Sequence, residues 1–141
     1  MGTVFVRGTV PTANVVKILP ELDRAGLNVK IVAAISPQLF RRQVAAYRDA
    51  TVSVADRWDA MAVTSGARRL MADWMGGPVA EEYTLCADRD DRWRTGGSVD
   101  EVMDEAGLGP EQILAGIERF VRDRPVRVAR IQAVASAVAR R

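Results

Sequence analysis

The stretch Asn28-Val29-Lys30-Ile31-Val32-Ala33-Ala34-Ile35-Ser36-Pro37 decides how the chain is read. Residues 28–35 carry apolar side chains on both sides of an extended backbone, the pattern of a strand whose sheet is covered by helices on both faces. Ser36 then supplies an N-cap and Pro37 occupies a first helical position, where its missing N–H costs nothing. A strand feeding directly into a helix is half of a βαβ unit.

Working upstream, Thr3-Val4-Phe5-Val6-Arg7 is short, β-branched and halted by Gly8, which predicts another buried strand. A helix is expected from about residue 12, with Val15, Val16, Leu19 and Leu22 on one face and Gly26 as its C-cap. Pro20 predicts a kink or a restart within it. Downstream, Leu39, Phe40, Val44 and Tyr47 are expected on the inner side of the helix that Ser36 opens. Residues 51–55 (Thr-Val-Ser-Val-Ala) read as a third strand, and residues 59–75 as a longer helix with Val63, Ala67, Leu70, Met71 and Trp74 inward. Gly76-Gly77-Pro78 turns the chain into a fourth strand over 79–86, followed by a polar loop over 87–97. Ser98 and Glu101 have capping-box spacing, Gly107 closes that short helix, and Pro110 opens another that buries Ile113, Leu114, Ile117, Phe120 and Val121. The expected architecture is a three-layer α/β/α sandwich on a mainly parallel sheet of about four strands.

Composition narrows the chemistry. With 141 residues, one domain is expected. Histidine is absent and Cys86 is the single cysteine, so the chain alone holds no His-based triad, no disulfide and no thiolate metal cluster. Cys86 reads as a small buried hydrophobe. The net charge of +2 gives no general nucleic-acid signature, and no apolar run approaches a membrane span. A cytoplasmic protein with no membrane and no nucleic-acid partner is expected.

The segment Ser36-Pro37-Gln38-Leu39-Phe40-Arg41-Arg42-Gln43-Val44-Ala45-Ala46-Tyr47-Arg48 resembles the helix after the second strand in the carboxy-terminal domains of transketolases, in its Ser, Leu-Phe, Gln and Tyr-Arg pattern. Gly97 through Glu101, then Gly107, Leu108, Glu111, Gln112 and Ile113, is similar to that family's last helical pair. The openings over 4–9 and 25–32 are similar to its first junctions, so the resemblance covers most of residues 3–124. It implies a domain over 1–124 that serves assembly and dimerisation in a thiamine-diphosphate enzyme transferring two-carbon ketol units between sugar phosphates. It also implies that thiamine diphosphate and its divalent cation sit on partner subunits or domains, and that this chain carries no catalytic, cofactor or metal residue of its own. Such domains have an additional antiparallel strand ahead of the first one here, and the sequence starts past it. A bare sheet edge is a liability, so a partner chain or the basic extension over 125–141 is expected to cover it. The alternative is a free-standing α/β module binding a small anion or a protein partner.

Two places are candidate sites. Gly8, Thr9 and Thr12 form a turn between a strand and a helix, where doubly wound folds take anions. It lacks a full phosphate-loop motif, and the plainer reading is a capping turn with Thr12 as the cap. Arg57 and Trp58, with Arg89, Arg92, Trp93 and Arg94, are expected to emerge together at one end of the sheet as a partner-binding patch, since Trp and Arg are favoured anchors. The plainer alternative is a solvated loop with its tryptophan against the core. In the extension, Val128, Ile131, Ala135 and Val138 form a stripe flanked by Arg127, Arg130, Arg140 and Arg141, which reads as a docking helix.

Overall fold

The computed structural model describes residues 1–94 and 96–140; Thr95 of the polar loop and Arg141 of the tail lie outside them. Strand β1 (Gly2–Arg7) leads into α1 (Thr9–Lys17) and, after the expected break at Pro20, α2 (Leu19–Arg24). Gly26, at φ +63°, ends this pair of helices as a C-cap glycine does. Strand β2 (Val29–Ala33) follows, then α3 (Pro37–Arg41), α4 (Ala45–Thr51), α5 (Val54–Trp58) and β3 (Ala60–Thr64). A 3-10 turn (Arg68–Met71), α6 (Pro78–Glu81), β4 (Leu85–Cys86), α7 (Val99–Glu105), α8 (Pro110–Arg122) and α9 (Arg124–Ala139) complete the chain.

The four strands run in the order β2-β1-β3-β4, every neighbouring pair parallel. Alternation along the central strands sends side chains to both sides. Val4, Val6, Met61 and Val63 meet α1, α2 and α8 through Val15, Leu22, Ile113, Ile117 and Phe120. Phe5, Ala60 and Ala62 meet Val52, Met71, Trp74 and Ala80 on the other face. The fold is therefore α/β on a four-stranded parallel sheet packed on both sides, an arrangement compatible with a three-layer sandwich. Buried Asn14 donates from Nδ2 to the Leu108 carbonyl at 3.0 Å, tying α1 to the turn before α8.

Several expectations are corrected. Residues 51–55 are not a strand. Thr51 ends α4, and Ser53 caps α5 by accepting the Asp56 N–H at 3.1 Å while Asp56 accepts the Ser53 N–H at 2.8 Å. This reciprocal pair satisfies backbone groups locally and outcompetes the β-branched propensity of the stretch. The third strand lies instead at the start of the expected helix over 59–75. All five of its residues are buried, so no alternation distinguishes it from a buried helix. The fourth strand shrinks to Leu85–Cys86, because Pro78 starts a helical turn in its place.

The helix expected after Ser36 is capped as predicted, with the Leu39 N–H donating to Ser36 Oγ at 3.2 Å, but it breaks into α3 and α4. Its inner side is also misplaced: Leu39, Val44 and Tyr47 are exposed, and only Phe40 packs inward, its ring tilted against Trp74 with the centroids 5.1 Å apart. The reason is topological. β2 stands at the sheet edge, so the layer over it has no further strand beneath to bury these side chains.

The extension docks, but through a charge. Arg127 is fully buried, donating from Nε and Nη2 to Asp59 Oδ1 at 3.0 and 2.7 Å and from Nη1 to the Phe120 carbonyl. Its guanidinium lies 3.7 Å from the Phe120 ring centroid, and Arg130 pairs with Glu82 at 2.5 Å. Val138 and Ala135 of the expected stripe are exposed. These anchors sit at the entry to β3, on α8 and beside α6, so the extension is fastened on the far side of β1 from the edge strand β2.

Candidate functional site

At the carboxyl end of the sheet, β1 and β3 are neighbours whose connections depart toward opposite edges, the switch point at which doubly wound folds form a ligand crevice. Gly8 follows β1 at φ +104°, a conformation in which a side chain is strained. A Cβ there would stand 2.5 Å from Ser65 Oγ, so the two loops close upon each other. The helix starts at Thr9 with Gly8 as N-cap, which corrects the expectation that Thr12 caps it. Thr12 lies inside the helix, and both its N–H and its hydroxyl turn back to the Gly8 carbonyl, at 3.0 and 2.7 Å. Pro11 removes one donor from the first turn. Arg7, the cation on the adjoining strand, donates to the Leu70 carbonyl at 3.2 Å. Gly8, Thr9 and Thr12 do border one cleft of about 420 Å³, but the N–H groups of Thr9 and Val10 alone make a poor phosphate cradle.

The six candidate interface residues do not come together. Arg57 and Trp58 end α5 and precede β3, at the amino end of the strands, whereas residues 89–94 follow β4 at the carboxyl end. The third strand lies after Trp58 and not before it, which overturns the expectation of a shared patch. Arg57 Nη1 donates to the Asp73 carbonyl, and its guanidinium sits 5.9 Å from the Phe40 ring centroid. Gly76 donates its N–H to the Arg57 carbonyl at 2.7 Å, with Trp58 packed over it. Both residues are internal fasteners.

The other four divide. Arg94 holds its loop in shape, donating to Asp90 at 2.6 and 3.1 Å and to the Ala87 carbonyl at 3.3 Å. Its guanidinium holds the Asp90 carboxyl below the usual range. Arg89 lies over Gly107. Arg92 and Trp93 face solvent, Trp93 at 95% exposure, beside a cleft of about 530 Å³ bordered by Ser65, Ala67, Asp88 and Asp91. The exposed part of the expected patch is therefore Arg89, Arg92 and Trp93.

Cys86 is buried, and burial, with Asp88 next to it, pushes its thiol up, which favours the protonated form. Among the described residues no group of three acidic or cysteine side chains is placed to hold a metal ion. No described helix is long and apolar enough to cross a membrane.

At the amino end, two polar clusters escaped the sequence reading. Asp59 anchors Arg127 and also Arg124, at 2.7 Å. Asp56 accepts from Lys30 Nζ at 2.8 Å and from Thr3 Oγ1 at 3.0 Å, joining β1, β2 and α5. Burial alone would raise the Asp56 carboxyl; the Lys30, Ser53 and Thr3 donors outweigh it and bring it down to about 2. The one available signal was the capping-box spacing of Ser53 and Asp56, hidden by the β-branched residues around it. No protein-family model matches the chain, and no curated protein matches it significantly.

Proposed function

We propose that the chain is a non-catalytic domain or separate subunit of a thiamine-diphosphate-dependent transketolase, with residues 1–124 forming a three-layer α/β/α domain of the transketolase carboxy-terminal kind and residues 125–141 an extension to it. The observation that carries the reading is where the two resembling stretches fall. Residues 36–48 follow the second strand of a parallel sheet and open on a Ser36 cap; residues 97–113 form a capped helix, a turn with Gly107 at φ +69° and the start of the last core helix. Thiamine diphosphate and its divalent cation belong to the partner chains in this reading, which bring the chemistry of ketol transfer. The role left to this chain is assembly, with Arg89, Arg92 and Trp93 as its contact residues.

Co-purification tests it. The tagged chain is expected to recover, in equal stoichiometry, thiamine-diphosphate chains marked by Gly-Asp-Gly with a downstream Asn-Asn, and the complex to transfer ketol units. Recovery of the chain without them, from cells that express them, refutes the reading.

A further inference from the structure

The outer side of β2 pairs with no strand among the described residues. The Ala34 N–H donates inward to the Val6 carbonyl at 2.8 Å, and parallel pairing uses every second residue. The amides of Val29, Ile31 and Ala33 therefore point outward. Clefts flank this edge on both faces. One, of about 560 Å³, is bordered by Leu19, Leu27, Val29 and Ile31 and also by Asp23 and Asn28; the other, of about 340 Å³, by Val32, Ile35, Leu39 and Tyr47. A docked helix would fill one cleft only. An added strand fills both, because its side chains alternate. The edge also lacks the usual defences: it has no proline, and its single lysine is drawn away to Asp56.

We infer that two copies of the chain pair through β2, antiparallel about a two-fold axis, joining their sheets into one. The strand is self-complementary. With Ile31 opposite Ile31 of the second copy, the outward N–H and C=O of this residue bond reciprocally, Val29 faces Ala33, and Lys30 faces Val32, so no like charges are opposed. Ile35 is 84% exposed, Leu39 60%, Tyr47 53% and Leu19 42%. With the strand they form the exposed apolar surface that the pairing covers. The transketolase resemblance implies dimerisation without naming a surface; the pairing through β2 names one and stands on the sheet edge alone.

The mass of the full chain in solution, measured by light scattering and sedimentation at about 1 to 100 μM, tests the pairing. The expected species is twice 15.4 kDa, with the Ile31 amide slow to exchange at high concentration. Ala33→Pro removes an outward N–H that β1 does not use, and Ile35→Glu places a charge at the rim. Each is expected to weaken dimerisation at least tenfold with the circular dichroism spectrum unchanged, and to speed exchange at Ile31. A monomer throughout the range, or a dimer that both variants leave intact, overturns the inference.

Discussion

Removing the Asp59 carboxylate isolates the one fully buried charge of the described chain. In Asp59→Ala, Arg127 keeps its bond to the Phe120 carbonyl and its place over the aromatic rings but loses both bonds to Asp59. Leaving a buried ion without its partner costs about 3–5 kcal/mol. Arg127→Met is milder, because Met fills a similar volume and Asp59, 14% exposed, still holds Arg124 at 2.7 Å. About 1–3 kcal/mol is expected for it, covering lost ring contact and the orphaned Phe120 carbonyl. The double variant should then lie within about 1 kcal/mol of Arg127→Met alone, well above Asp59→Ala, since no buried cation remains. Urea unfolding followed by circular dichroism gives the three values, and at about 3–5 °C per kcal/mol the melting order of the variants is resolved as well. If Arg127→Met costs as much as Asp59→Ala, or the two losses add, the buried-charge account is wrong.

Asp56 links stability to pH. Its carboxyl is depressed to about 2 from an ordinary value near 4, so its contribution is complete above pH 4 and disappears as pH falls toward 2. For a side chain 19% exposed, solvent screening leaves about 1–2 kcal/mol, and Asp56→Asn should remove that loss from a denaturation series between pH 2 and 5. Gly76→Ala would set a Cβ 3.1 Å from the Arg57 backbone and from Trp58, and is expected to cost about 1–3 kcal/mol in the same assay. Trp93→Ala should leave monomer stability within about 0.5 kcal/mol while reducing recovery of partner chains in the co-purification; unchanged recovery would remove Trp93 from the proposed contact surface.

How much of this was legible in the sequence depended on whether the deciding interactions were local. The Ser36 cap, the Ser98 and Glu101 box, the Pro20 restart and the buried face of α8 were readable because each rests on residues within four positions of one another or on helical spacing. Ala60–Thr64 was not. In the middle of a sheet covered on both sides all five residues are buried and four of them apolar, so the period that separates strand from helix vanishes. That single shift moved Arg57 and Trp58 to the opposite end of the sheet and dissolved the expected patch. Arg127 was illegible for another reason: its partner stands 68 positions away, and an arginine beside an apolar stripe reads as solvated until that partner is known.

The bond from Asn14 to the Leu108 carbonyl spans 94 residues, and closing so long a loop is slow even where the entropy it costs grows only logarithmically. With β1 also waiting for a neighbour that begins at Ala60, the chain must hold much of its length in approximate order before its central strand is enclosed. Its barrier to folding is thus set by distant parts meeting, and substitutions between α1 and α8 should slow refolding more than those in α9.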